Sequence, residues 1–163
     1  MEYRRLEGTD IELSVICFGT IWFAAAPKRP EIDTAAGKRA MHLALDSGVN
    51  CVHSSYEYQT RYAVREVLDE RPDKDRIRHI IKAPCPDAKP GVKEWDATYF
   101  RKLIEDALRE MNVDRIDLLQ WILRDGTAFK EEKSVQRFNA MSEELLTTFE
   151  QMRDEGKVGG ETQ

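Results

Sequence analysis

Four times along the chain a short apolar run gives way to a longer stretch with helical spacing. No other feature restricts the fold as much. Residues 15–18, 50–54, 77–83 and 115–122 read as strands. The run 15–18 is apolar throughout and ends at Gly19, which suits a strand buried on both faces of a parallel sheet. Asp33 or Thr34 caps a helix to about Ser47, with Ala36, Ala40, Leu43, Ala44 and Ser47 on its inward face and Gly48 as its stop. Thr60 caps a second helix with Val64, Val67 and Leu68 inward, ending near Arg71-Pro72. Asp96 caps the third, whose Phe100, Leu103, Ile104, Ala107, Leu108 and Met111 fit the amphipathic template without a gap. Ser142 caps the fourth, with Glu143 and Glu144 in its first turn, Leu145, Phe149 and Met152 inward, and Gly156 at its end. Residues 84–95 and 124–138 read as loops, and Lys157-Val158 as the start of another strand. Ahead of the first unit, residues 2–13 form two short strands around the turn Glu7-Gly8-Thr9-Asp10. Strict alternation of strand and helix implies an α/β fold with a parallel sheet and right-handed crossovers.

The chain has 163 residues, enough for one core, and nothing divides it, so 1–163 reads as a single domain. Its 41% hydrophobic content is too high for a disordered chain. With 25 Lys+Arg against 30 Asp+Glu the net charge is −5, and no basic cluster overrules it, which argues against nucleic acid as a partner. No apolar run approaches the ~20 residues of a membrane span, and the N-terminus lacks a signal-peptide core. Three scattered cysteines make no disulfide framework, so a reducing, cytoplasmic setting is expected. There is no G-x-G-x-x-G and no Walker loop. His42, His53 and His79 show no i, i+4 pairing and no C-x-x-C accompanies them, so no metal site is expected.

Five segments, in order, carry a resemblance to a known family. They are the opening MEYRRLEGTDIELSVICFGT, then Gly48-Val49-Asn50 followed by His53-Ser54-Ser55-Tyr56-Glu57-Tyr58, then Ile80-Ile81-Lys82, then Arg115-Ile116-Asp117-Leu118-Leu119-Gln120, and finally FEQMRDEGKV from Phe149 to Val158. Together they resemble the N-terminal half of the aldo-keto reductases. The resemblance implies a partial (β/α) TIM-type barrel: an N-terminal β-hairpin and about four βα units where a complete barrel has eight. It implies NADP(H)-dependent reduction of a small-molecule carbonyl substrate. The family uses an Asp, Tyr, Lys and His: the Tyr gives a proton to the carbonyl oxygen, the Lys polarises the phenol, the Asp anchors the Lys, and the His orients the substrate. Carried over by position, the acid is Tyr58 and the Lys is Lys82, while His53 stands at the Asp position and Ile122 at the His position. The Gly usual after the Tyr is Gln59. Gly19 and Thr20 map to the cofactor side.

Each of these residues also has a plainer reading. Tyr58 can be a loop aromatic covering a strand end, and Lys82 a strand-end Lys reaching solvent. Cys17 and Cys51 fall on neighbouring strands, can both face the barrel interior, and read as small buried hydrophobes. Trp22 and Phe23 either line a substrate mouth or anchor a loop. Three functions compete: an aldo-keto reductase-like enzyme with impaired turnover and doubtful cofactor binding; a non-catalytic half-barrel or pseudoenzyme that acts through protein interaction; and a lyase or isomerase using Tyr58, Lys82 and His53 without a hydride. A half-barrel also leaves strand edges and an apolar inner face uncovered. The chain is therefore expected to self-associate, as a homodimer through those edges that approximates a closed barrel, or to be poorly soluble, and a stable, dilution-resistant monomer in light scattering would contradict this.

Overall fold

The computed structural model describes residues 1–84, 97–122 and 143–159. The expected loops beyond Pro84 and over 124–138, and the caps at Asp96 and Ser142, lie outside them. Strands β1 (Tyr3–Arg5) and β2 (Glu12–Ser14) form the opening hairpin, antiparallel with Tyr3 opposite Ser14. Gly8 takes φ +74° in its turn, as the sequence requires. Asn50 fastens this hairpin to the main sheet. Its side-chain oxygen accepts from Ser14 N at 2.7 Å, its amide nitrogen donates to Glu12 O at 2.9 Å, and its backbone N donates to Ser14 Oγ at 3.1 Å.

The main sheet is parallel, in the order β3 (Phe18–Gly19), β4 (Cys51–Ser55), β5 (Arg78–Pro84), β6 (Leu118–Ile122). Helices α1 (Thr34–Asp46), α2 (Arg61–Asp69), α3 (Ala97–Met111) and α4 (Glu143–Asp154) follow the strands in turn. Residues from all four join one core with Val52, Ile81 and Ala83, which alternation places on one face of the sheet. Strands in chain order with helices packed on one face are the arrangement of a barrel, not of a doubly wound sheet. Beyond β6, Val158 bridges in parallel to Ile116, so Lys157-Val158 does begin a further strand position. Arg101 bonds Glu155 at 2.8 and 2.9 Å and Lys157 reaches Glu105 at 2.9 Å, fixing the end of α4 against α3. No helix among the described residues is long and apolar enough to cross a membrane.

Four local expectations are corrected. The first strand is not 15–18. Val15 and Ile16 are 50% and 59% exposed, because Val15 N still donates to Glu2 O and Ser14 Oγ to Ile16 O, and the chain reaches β4 only at Phe18. The inward stripe of α1 is Gly37, Met41 and Leu45, whereas Leu43 is 69% exposed. A Cβ at Gly37 would sit 1.6 Å from Phe23 O, so this close approach sets the helix rotation. Thr60 precedes α2, but its hydroxyl makes no cap bond and donates instead to Thr20 O at 3.0 Å. The inner sheet face is not apolar. Alternation places Cys51, His53, Ser55, Ile80, Lys82, Leu118 and Gln120 there.

At the N-terminal end of the sheet, Asp117 is buried. One carboxylate oxygen accepts from Arg78 at 3.2 Å and Arg115 at 2.9 Å, the other from His79 N at 2.8 Å. The His79 ring is buried beside it, with Nδ1 lacking a hydrogen-bond partner among the described residues. Burial, only partly offset by Asp117, pulls its pKa down to about 4. The unfolded chain takes up this proton near pH 6.5 and the folded chain resists it until about pH 4. The stabilising effect is therefore full above pH 6.5 and lost as pH falls through that window, by roughly 1.4 kcal/mol per pH unit. Urea unfolding across the window should show this slope, and His79→Leu should flatten it. An unchanged slope in the variant would refute the assignment.

Candidate active site

The site lies at the C-terminal ends of the strands, where barrels of this kind place their chemistry. Register builds it. Lys82 on β5 stands opposite Ser55 on β4 and Gln120 on β6. Alternation turns all three to the inner face. The chain leaves β4 at Ser55 and turns back, with Tyr58 N donating to Ser55 O at 3.2 Å, so the Tyr58 ring comes over the row. Lys82 Nζ donates to the Tyr58 phenol oxygen and lies 4.9 Å from the ring centroid. Tyr58 is buried, and its carbonyl accepts from Arg29 at 3.2 Å. Arg29 also stacks over exposed Trp22 at 5.2 Å, while Phe23 is buried. Trp22 thus lies on the surface under Arg29, and the Phe23 backbone packs against α1 at Gly37.

His53 sits one row lower and is half-buried. Its Nε2 donates to Gln120 Oε1 at 2.8 Å, across β5. Burial first, and then the positive charge of Lys82, hold its pKa below the ordinary value, against the opposing pull of the Gln120 bond. The ring is neutral at pH 7. That tautomer leaves Nδ1 as an acceptor. Among the described residues no carboxylate pairs with Lys82. Ser55 Oγ is buried in the same row with no hydrogen-bond partner among the described residues.

Gly19 and Thr20 differ in what they offer. A Cβ at Gly19 would meet nothing within 4 Å, so open space adjoins it on the inner face beside His53. Thr20 is fully buried, and its backbone N and hydroxyl both donate to His53 O at 3.1 Å. Its own carbonyl accepts from Thr60. Thr20 thereby ties the end of β3 to β4 and to the start of α2. Three residues of the site escape a sequence reading: Gln120 as the partner of His53, Arg29 as the clamp on the Tyr58 turn, and Ser55 beside Lys82. Ser55 alone had a signal, since it lies two residues after His53 on the same face. The other two depend on contacts between distant parts of the chain.

A family model, the aldo/keto reductase family, matches residues 15–160. The 6-dehydroglucose reductase of Novosphingobium aromaticivorans is 31% identical over 127 residues, covering 72% of this chain and 40% of that protein. Two solved structures are similar in fold. An aldo-keto reductase from Bacillus halodurans, in its holo form, has a TM-score of 0.68 at 22% identity, covering 97% of this chain and 48% of that one. A glycerol dehydrogenase from Gluconobacter oxydans has a TM-score of 0.64 at 24% identity, covering 96% and 46%. The chain spans less than half the length of these relatives. They fit a partial α/β barrel for these residues.

Gln59, directly after Tyr58, has φ +56°, in the left-handed region where a side chain is strained. This is the position where the resemblance has Gly. Gln59→Gly should raise the unfolding free energy by about 0.5–1 kcal/mol, and Gln59→Val should lower it by about 1 kcal/mol or more. Denaturant titration reads both, and a Gly variant less stable than Gln would show that the turn is not strained.

Proposed function

Because the chain belongs to the aldo/keto reductase family, we propose that it carries the proton-donating half of an NADP(H)-dependent carbonyl reductase, with turnover reduced by two substitutions in its own site. The carrying observation is the Lys82–Tyr58 hydrogen bond at the strand ends. Lys82 donates to the phenol oxygen, so the phenol proton is left to point at a substrate carbonyl. As that proton moves to the carbonyl oxygen, negative charge grows on Tyr58 and the ammonium beside it stabilises that charge. NADP(H), when bound, supplies the hydride that completes the alcohol. The open space at Gly19 fits the approach of a flat ring to this face, and Thr20 holds that floor in place through His53 O. The substrate class is a small carbonyl compound.

His53 is the weak point. A carboxylate at its position would fix and neutralise Lys82. A neutral imidazole, already donating to Gln120, does neither. Burial first, and the Lys82 charge after it, disfavour a proton on this ring, so it stays neutral and gives Lys82 no counter-charge. The second reading is a non-catalytic member acting through protein interaction. It is favoured by one observation, that His53 and Ile122 stand where the family has Asp and His.

A single assay separates the two. NADPH oxidation by 4-nitrobenzaldehyde, and by 6-dehydroglucose after the substrate in the relative's name, should be slow with the natural chain. Tyr58→Phe should lower it a further ~10²-fold or more. His53→Asp combined with Ile122→His should raise it about tenfold or more. Turnover unaffected by Tyr58→Phe would overturn the proposal. No turnover in any variant, together with no NADPH binding in a fluorescence titration, would leave the non-catalytic reading.

A further inference from the structure

We propose that Cys17 and Cys51 form a redox-modification site, a thiol pair at the base of the sheet that closes to a disulfide by exchange with a small-molecule disulfide such as oxidised glutathione. The inference stands apart from carbonyl reduction, because the pair lies at the end of the sheet opposite Tyr58 and Lys82.

The placement follows from register. β3 and β4 run parallel with Phe18 opposite Val52, and one step back sets Cys17 beside Cys51. Val52 packs into the helical core, so Cys51 projects from the other face, with Cys17 next to it just ahead of β3. Neighbouring strands lie about 4.8 Å apart, within the ~4.4–6.8 Å that a disulfide spans between Cα atoms. The two thiols are close enough for each to perturb the other's ionisation. They differ in access. Cys51 is 1% exposed, with its sulfur 3.6 Å from Ser14 Oγ and 3.6 Å from Ile16 O, whereas Cys17 is exposed. The bend at Ser14 to Ile16, which keeps this part of the chain out of the sheet, leaves Cys17 open.

The pair shares its protons unevenly. The nearness of Cys17, and then the contact with Ser14 Oγ, bring the Cys51 pKa down to about 7 against the opposing effect of burial, while Cys17 is pushed up. At neutral pH a large share of the pairs therefore carries a thiolate on Cys51, beside the Cys17 thiol. The Cys51 thiolate takes the Cys17 proton as Cys17 Sγ attacks one sulfur of the small disulfide, which forms a Cys17 mixed disulfide and releases one thiolate. Cys51, losing its proton to solvent, then attacks Cys17 Sγ and releases the second thiolate. The pair is oxidised by two electrons, and the small disulfide is reduced to two thiols.

The test uses the full chain with the third cysteine, Cys85, replaced by Ser, reduced and then exposed to millimolar oxidised glutathione at neutral pH. Intact mass should show a single chain lighter by two hydrogen atoms and without adduct. Peptide mapping without reductant should join Cys17 to Cys51. Cys51→Ser should trap a stable glutathione adduct on Cys17, and Cys17→Ser should react many-fold more slowly. A lasting adduct with both cysteines present, a disulfide between two chains, or no oxidation at all would overturn the proposal.

Discussion

The site depends on the register of β5 between its two neighbours. Lys82 is functional in position only because it faces inward, opposite Ser55 and Gln120. A slip of one residue would turn Lys82 into the helical layer and bring Ile81 out. The buried Asp117 guards against that slip. It accepts from the backbone N of His79 on β5, while Arg78 and Arg115 compensate its charge. Removing that carboxylate would leave two guanidinium groups and a backbone N–H without their partner. The motif Asp-Leu-Leu-Gln is thus a structural device at one end and a site residue at the other.

The second constraint is electrostatic. An inward-facing Lys in a half-buried row needs a stabilising partner. Tyr58 provides an oxygen, and its aromatic face lies under the ammonium. His53 adds no negative charge, and the environment instead keeps its ring neutral. Gln120 then decides the tautomer. The result is a phenol held by an ammonium, with a neutral imidazole one row below, which is a different balance from a carboxylate-anchored Lys.

The two ends of the sheet have separate chemistry. At the C-terminal end, Thr20 joins β3 to β4 through His53 O and joins α2 through Thr60, so the floor of the site is held by small buried hydroxyls. At the N-terminal end, the hairpin is pinned by Asn50, and its departing bend exposes Cys17 while covering Cys51. The same hairpin that Asn50 ties to this end of the sheet therefore controls access to the thiols.

The sequence by itself determined the element order and the parallel sheet, because apolar periodicity is a local property of the chain. The barrel class and the placing of Tyr58 and Lys82 at one site came from the resemblance of five segments to a known family. The sequence misplaced the first strand, since nothing local in Val15-Ile16 says that Glu2 and Ser14 hold it away from the sheet. It rotated α1, since the choice between the Leu43 stripe and the Met41 stripe is made by Gly37 against Phe23 O, a contact between distant residues. Gln120 as the partner of His53, Arg29 as the clamp on Tyr58 and the pairing of Cys17 with Cys51 were all decided by tertiary structure. Each joins residues far apart in the chain, and only strand register and packing set which side chains meet.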